Sequence, residues 1–180
     1  MAPLVRRSWA PRGQTPILYQ RTRSYQKVSV IAALSVSPQR RRVGLYFSLR
    51  PNANVRAAWL RAFLADLAAH LRHPLLVVWD RLPGHRAQSV QQFFQRRPNR
   101  HSAFLPPYAP ELNPVEHFWA YLKHNPLANL AAPDALTLTH IARRHAKRIQ
   151  RRQALLRSFI ASTPLFCASN RTLLIHRSIA

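Results

Sequence analysis

The chain has 180 residues, 47% of them hydrophobic, and 28 Lys plus Arg stand against five Asp plus Glu for a formal net charge of +23. That length and apolar content suit one domain with a sizeable core and exclude a disordered polybasic tail. One cysteine, Cys167, excludes a disulfide framework and a Cys-rich zinc site, and the longest apolar runs are too short to cross a bilayer. With no secretory signal in view, the expected setting is the reducing interior of a cell, with no membrane partner.

The charge predicts a polyanionic partner, nucleic acid first, bound with an affinity that falls steeply with salt. The basic residues are 25 Arg and 3 Lys, so a GC-rich coding bias is the competing explanation of the same number.

In chain order, residues 1–26 read as loop or edge structure. KVSVIAALSV (27–36) is a buried-strand run, SPQRRR a turn, and VGLYFSL (43–49) a second strand, which together predict a hairpin. Arg40, Arg41 and Arg42 form its solvated tip, with a phosphate contact as the sharper reading. Asn54 can cap a helix over residues 55–72, whose buried stripe is Leu60, Phe63, Leu67 and Leu71, with Asp66 on its flank. PLLVVWD reads as an inner strand ending in Asp80, followed by a Pro-Gly turn. A helix over about 86–96 and the run SAFL (102–105) follow. Asp134 caps a last helical region to about 160, made strongly basic by Arg143, Arg144, Lys147, Arg148, Arg151 and Arg152. Strands alternating with helices indicate a layered α/β domain.

Between those last elements lies FLPPYAPELNPVEHFWAYLK (104–123), which holds two of the five acids. Asn113 is a good N-cap, Pro114 fits the first helical position, and Glu116 is placed to reach back to the Asn113 N–H as in a capping box. Val115, Phe118, Trp119 and Leu122 make the apolar stripe behind it. Asp80, at the end of a strand, reads equally as a turn cap or as a ligand. Taken together, Asp80 and Glu116 offer the hard oxygen donors that Mg²⁺ prefers, and neighbouring Arg side chains such as Arg81 suit phosphate oxygens.

LPPYAPELNPVEHFWAYLK resembles the third-carboxylate motif of the DDE superfamily endonuclease domain found in mariner-like and bacterial insertion-sequence transposases. VVWDRLPGHRA resembles the second-carboxylate motif, an Asp at a strand end with a nearby His. The two acids are separated by 35 residues, a spacing typical of that family. The resemblance implies a ribonuclease-H-like (retroviral-integrase-like) fold, a mixed sheet flanked by helices. It also implies Mg²⁺- or Mn²⁺-dependent cleavage and transfer of DNA strands, with DNA (transposon ends and target) as partner. By position, Asp80 and Glu116 correspond to the second and third metal-binding acids. His85, Tyr108, Asn113, Pro114 and Trp119 belong to the two motifs and are expected to shape the loops and pack the helix.

The family's first Asp lies on a strand before the segment matching WAPRGQTP (9–16), and only MAPLVRRS precedes that segment here. The expectation is therefore a partial catalytic domain over 1–160 that lacks the first central strand, followed by an extension over 161–180. It would be inactive alone unless an upstream transposase fragment supplies the missing acid and completes a two-metal site; the other protein partner that the reading allows is a second copy, in a homodimer. A non-catalytic DNA-binding remnant or inhibitor is the alternative. Either would work in the prokaryotic cytoplasm on nucleoid DNA.

Overall fold

The computed structural model describes residues 6–7, 9–17, 27–39, 41–164 and 173–179. Strands β1 (Val28–Val36) and β2 (Val43–Pro51) form the expected antiparallel hairpin, with Val36 opposite Val43. Its turn is closed by Ser37, whose N–H donates to the Arg42 carbonyl at 2.9 Å and whose Oγ accepts from the Arg42 N–H at 3.0 Å. Arg41 and Arg42 are exposed at this tip, while Arg40 lies outside the described residues.

Helix α1 (Ala57–Leu71) follows. Asn54 does not cap it: the Asn54 side chain accepts from the Lys27 ammonium, and Arg56 stands at the N-cap without a side-chain bond. A missing cap costs about 1 kcal/mol, whereas each large apolar side chain buried contributes about 1.5–3 kcal/mol. Trp59, Leu60, Phe63, Leu64 and Leu67 are all buried, so packing holds the helix without the cap. Strand β3 (Leu75–Trp79) leads to a short helix α2 (Pro83–Arg86) and to α3 (Gln88–Gln95). The single helix expected over 86–96 is broken at Ala87, whose ψ of 137° is extended. Strand β4 (Arg100–Phe104) lies parallel to β3, with Trp79 opposite Phe104. Helices α4 (Val115–His124), α5 (Ala135–Gln150) and α6 (Gln153–Ala161) follow. Asp134 caps α5 as expected, its Oδ1 accepting from the Thr137 N–H at 2.7 Å.

Strand β5 (Leu173–Ile179) stands where the sequence pattern suggests only an extension. It lies between β1 and β3, antiparallel to the first and parallel to the second, so the sheet order is β2-β1-β5-β3-β4. This is the central position expected for the family's first strand, and residues from the far end of the chain occupy it. The physical reason is ladder satisfaction: unfilled, that slot would leave backbone N–H and C=O groups of both β1 and β3 without partners.

Both faces of the sheet are covered. Ile31, Ala33, Val77 and Trp79 pack with buried residues of α1 and α3. The alternate residues Ala32 and Leu34, with Val43 and Leu45, pack with buried residues of α4, α5 and α6. Two buried faces explain why β1 reads as a continuous apolar run and not as an alternation. Among the described residues, no helix is long and apolar enough to cross a membrane.

Candidate active site

Pleat alternation decides where Asp80 falls. Trp79 packs into the α1/α3 cluster and Val78 against the opposite one. The next residue after Trp79 therefore turns back to the α4 side of the sheet. Asp80 lies just beyond the carboxyl end of β3, where open α/β sheets place their ligands. Its Oδ1 accepts from the Leu82 N–H at 3.1 Å and lies 2.7 Å from His85 Nδ1, so the carboxylate does cap the turn, and the same residue lines a cleft.

His85 is 1% exposed, and its ring lies flat on the Trp79 indole, with centroids 4.6 Å apart and an interplanar angle of 6°. Nδ1 faces two acceptors, Asp80 Oδ1 and the Asp80 carbonyl at 3.1 Å, which requires the proton on that nitrogen. Nε2 is buried and finds no hydrogen-bond partner among the described residues. The imidazole thus acts as a fixed strut under the Asp80 carboxylate.

Glu116 enters from the first turn of α4 and is half-buried. Asn113 caps that turn through its Oδ1, which accepts from the Val115 N–H at 3.3 Å, and through its carbonyl, which accepts from the Glu116 N–H at 3.0 Å. The Asn113 N–H donates to Pro110 O at 2.9 Å, in a 3-10 turn over Pro110–Leu112. Asn113 is 2% exposed, and its Nδ2 is buried with no hydrogen-bond partner among the described residues. Pro114 is buried beside it.

Asp80, Arg81, Asn113 and Glu116 line one cleft of about 410 Å³, with the Leu105–Pro110 loop as its apolar wall. Arg81 is exposed, and its Nε donates to the Leu105 carbonyl at 3.2 Å, which pins the guanidinium at the cleft. The other acids stand elsewhere: Asp66 is exposed on α1, Glu111 is exposed in the 3-10 turn, and Asp134 caps α5. Among the described residues, no group of three or more His, Cys, Asp or Glu could hold a metal ion. The donor set is a carboxylate pair with a guanidinium beside it.

The remaining basic residues occupy other surfaces. Arg143, Arg144, Lys147 and Arg148 are exposed on α5, and Arg151 and Arg152 are exposed just after it. Arg152 Nη1 donates to the Tyr121 hydroxyl at 3.1 Å, and Arg143 Nη2 lies 3.5 Å from the Leu49 carbonyl. His145 sits among them with its pKa held below the ordinary imidazole value, by burial first and then by the charges of Arg144 and Arg148. Of the two motif aromatics, Trp119 is buried in the core and Tyr108 is fully exposed. Sequence reasoning passed over Leu105, Pro106, Pro107 and Pro110 as cleft-forming residues. Their signal was the proline density of the run, which marks a stiff wall.

A five-stranded mixed sheet covered on both faces, with two carboxylates lining one cleft where β3 ends and α4 begins, defines a ribonuclease-H-like α/β domain. The chain belongs to the DDE superfamily endonuclease family, whose sequence profile matches residues 2–139. In fold it is similar to a chain in the crystal structure of the Mos1 strand transfer complex, with a TM-score of 0.53 and 17% identity. That alignment covers 93% of this chain and 51% of the other, so this chain spans about half the length of that relative. No curated protein sequence matches the chain.

Proposed function

We propose that this cleft is the site of metal-dependent DNA strand cleavage and transfer, the chemistry of a transposase catalytic domain. The observation that carries the reading is that Asp80 and Glu116, from elements 35 residues apart in sequence, line the same cleft beside Arg81. Family membership and the fold's likeness to a strand transfer complex support DNA as the partner.

Hard divalent cations bind through one or two carboxylates together with water and phosphate oxygens. Asp80 and Glu116 fit that requirement and would hold Mg²⁺ or Mn²⁺. When bound, such an ion activates an attacking hydroxyl and stabilises the leaving oxygen of a phosphodiester. The protein's own part is positional. Arg81 offers charge-assisted donors to non-bridging phosphate oxygens. His85 holds the Asp80 carboxylate in one orientation, as residues behind metal ligands do. The stiff Leu105–Pro110 wall bounds the cleft on its apolar side.

A full two-metal arrangement needs more negative charge than this pair provides, and Asp66, Glu111 and Asp134 stand elsewhere. We infer that these 180 residues alone are inactive and that a third carboxylate comes from an upstream transposase segment outside them. The proposed setting is the prokaryotic cytoplasm, on nucleoid DNA.

The test is Mn²⁺ titration followed by electron paramagnetic resonance, alongside plasmid nicking. Wild-type chain should bind Mn²⁺, and both Asp80→Asn and Glu116→Gln should abolish binding, with no nicking above background. Unchanged Mn²⁺ binding in both variants would refute the shared site. Nicking that both variants abolish would keep the site and overturn the inactivity.

A second reading, a non-catalytic DNA-binding protein, is favoured by the exposed Arg and Lys side chains of α5, none of which lines the cleft. DNA binding that persists in chelator and weakens with salt, in a chain that binds no Mn²⁺, would support it.

A further inference from the structure

Tyr108 is 102% exposed, yet it belongs to the lining of the Asp80–Glu116 cleft. Scattered exposed apolar side chains need no explanation, and Ile17 and Leu136 are of that kind. Tyr108 differs from them in two respects. Its backbone φ is +57°, in the left-handed region where a bulky residue is strained. It also follows Pro106 and Pro107 and precedes Pro110 closely, so ring-locked φ angles restrict the chain on both sides. The loop therefore holds a large flat ring away from the core at the mouth of the cleft, although the backbone there is strained. Trp9 is as exposed, but it does not line the cleft.

An aromatic ring open on both faces, in the same cleft as the Arg81 guanidinium, suits a nucleobase, since bases stack on aromatic side chains whatever their sequence. A base within an intact duplex has both faces covered by its neighbours. Only a base freed at a nick, a frayed end or a single strand can present its face to the ring.

We propose that Tyr108 is a base-stacking platform that holds one unstacked nucleobase beside the phosphodiester in the Asp80–Glu116 cleft. The cleft thereby selects opened DNA over intact duplex. This inference rests on the proposed DNA-cleaving function and adds the state of the DNA that the cleft accepts.

The experiment uses the full chain with oligonucleotides carrying 2-aminopurine, whose fluorescence is quenched by stacking. Wild type and Tyr108→Phe should quench the probe in single-stranded DNA. Tyr108→Leu and Tyr108→Asn should not, and their single-strand affinity should fall roughly 5- to 100-fold while duplex affinity stays within about twofold. Asn tolerates the left-handed backbone, so that variant removes the ring without disturbing the loop. A Leu variant that binds and quenches like wild type would overturn stacking, as would equal losses on single-stranded and duplex DNA. If wild type binds no DNA at all, the proposed function fails together with this inference. If Asp80→Asn loses Mn²⁺ while every Tyr108 variant binds DNA like wild type, only this inference fails.

Discussion

Nδ1 of His85 lies 2.7 Å from Oδ1 of Asp80, and the same imidazole lies parallel to the Trp79 indole with centroids 4.6 Å apart. Strand end, carboxylate and ring thus form one rigid unit. Removing the ring leaves a void against Trp79 and takes one hydrogen bond from the carboxylate. His85→Ala is expected to lower unfolding free energy by about 2–4 kcal/mol in urea titrations. Mn²⁺ affinity should fall roughly 10- to 100-fold. Unchanged metal affinity in a folded His85→Ala protein would show that Asp80 needs no strut.

Gly44 is fixed by its neighbours. A Cβ there would stand 2.6 Å from Ser35 Oγ and 2.8 Å from a ring carbon of Tyr46, on adjoining parts of the β1–β2 hairpin. Gly44→Ala should cost about 1–3 kcal/mol by chemical denaturation. Adding Ser35→Ala should recover part of that loss, because the two positions share the clash.

His145 supplies a pH dependence with a definite sign. Burial and the adjacent Arg144 and Arg148 charges lower its folded-state pKa below 6.5. The unfolded chain therefore takes up this proton first, and stability should decrease as pH falls through about 6.5. Thermal melts of wild type and His145→Gln should diverge in that window, with the variant less pH-dependent. A polyanion that neutralises Arg144 and Arg148 should raise the imidazole pKa, so DNA binding by wild type should tighten as pH falls from neutrality.

The α5 surface can be separated from the cleft by salt. Replacing Arg144 and Arg148 with Gln should flatten the plot of log affinity against log salt by roughly one for each phosphate no longer neutralised. Mn²⁺ binding should not move, because neither residue lines the cleft. A parallel fall in metal binding would mean that the two surfaces are coupled.

Much of this was legible in the residues. The Asp134 cap, the β1–β2 hairpin and the Leu60–Phe63–Leu67 stripe follow from local pattern, and the structure contains each of them. The Asn54 cap failed because its side chain meets Lys27, a residue brought near only by the fold. Strand β5 was invisible for the same kind of reason. TLLIHRSIA places His and Arg in mid-run, and what makes it a strand is a slot between two others. Of the cleft, the acids could be found from motif and spacing, but the tertiary position of the Leu105–Pro110 wall could not.

The position of β5 also dictates an order of assembly. The β1–β2 pair closes through a short turn and the β3–β4 pair through a crossover that carries α2 and α3, so each half-sheet can form while the chain is being made. The seam between them is residues 173–179, which leave the ribosome after the other four strands and pair with partners far back along the chain. Until then both halves carry an open edge, the state in which nascent β proteins are most prone to aggregate. The two half-sheets become one sheet, and the end of β3 that carries Asp80 gains its inner neighbour, only once that last strand has emerged.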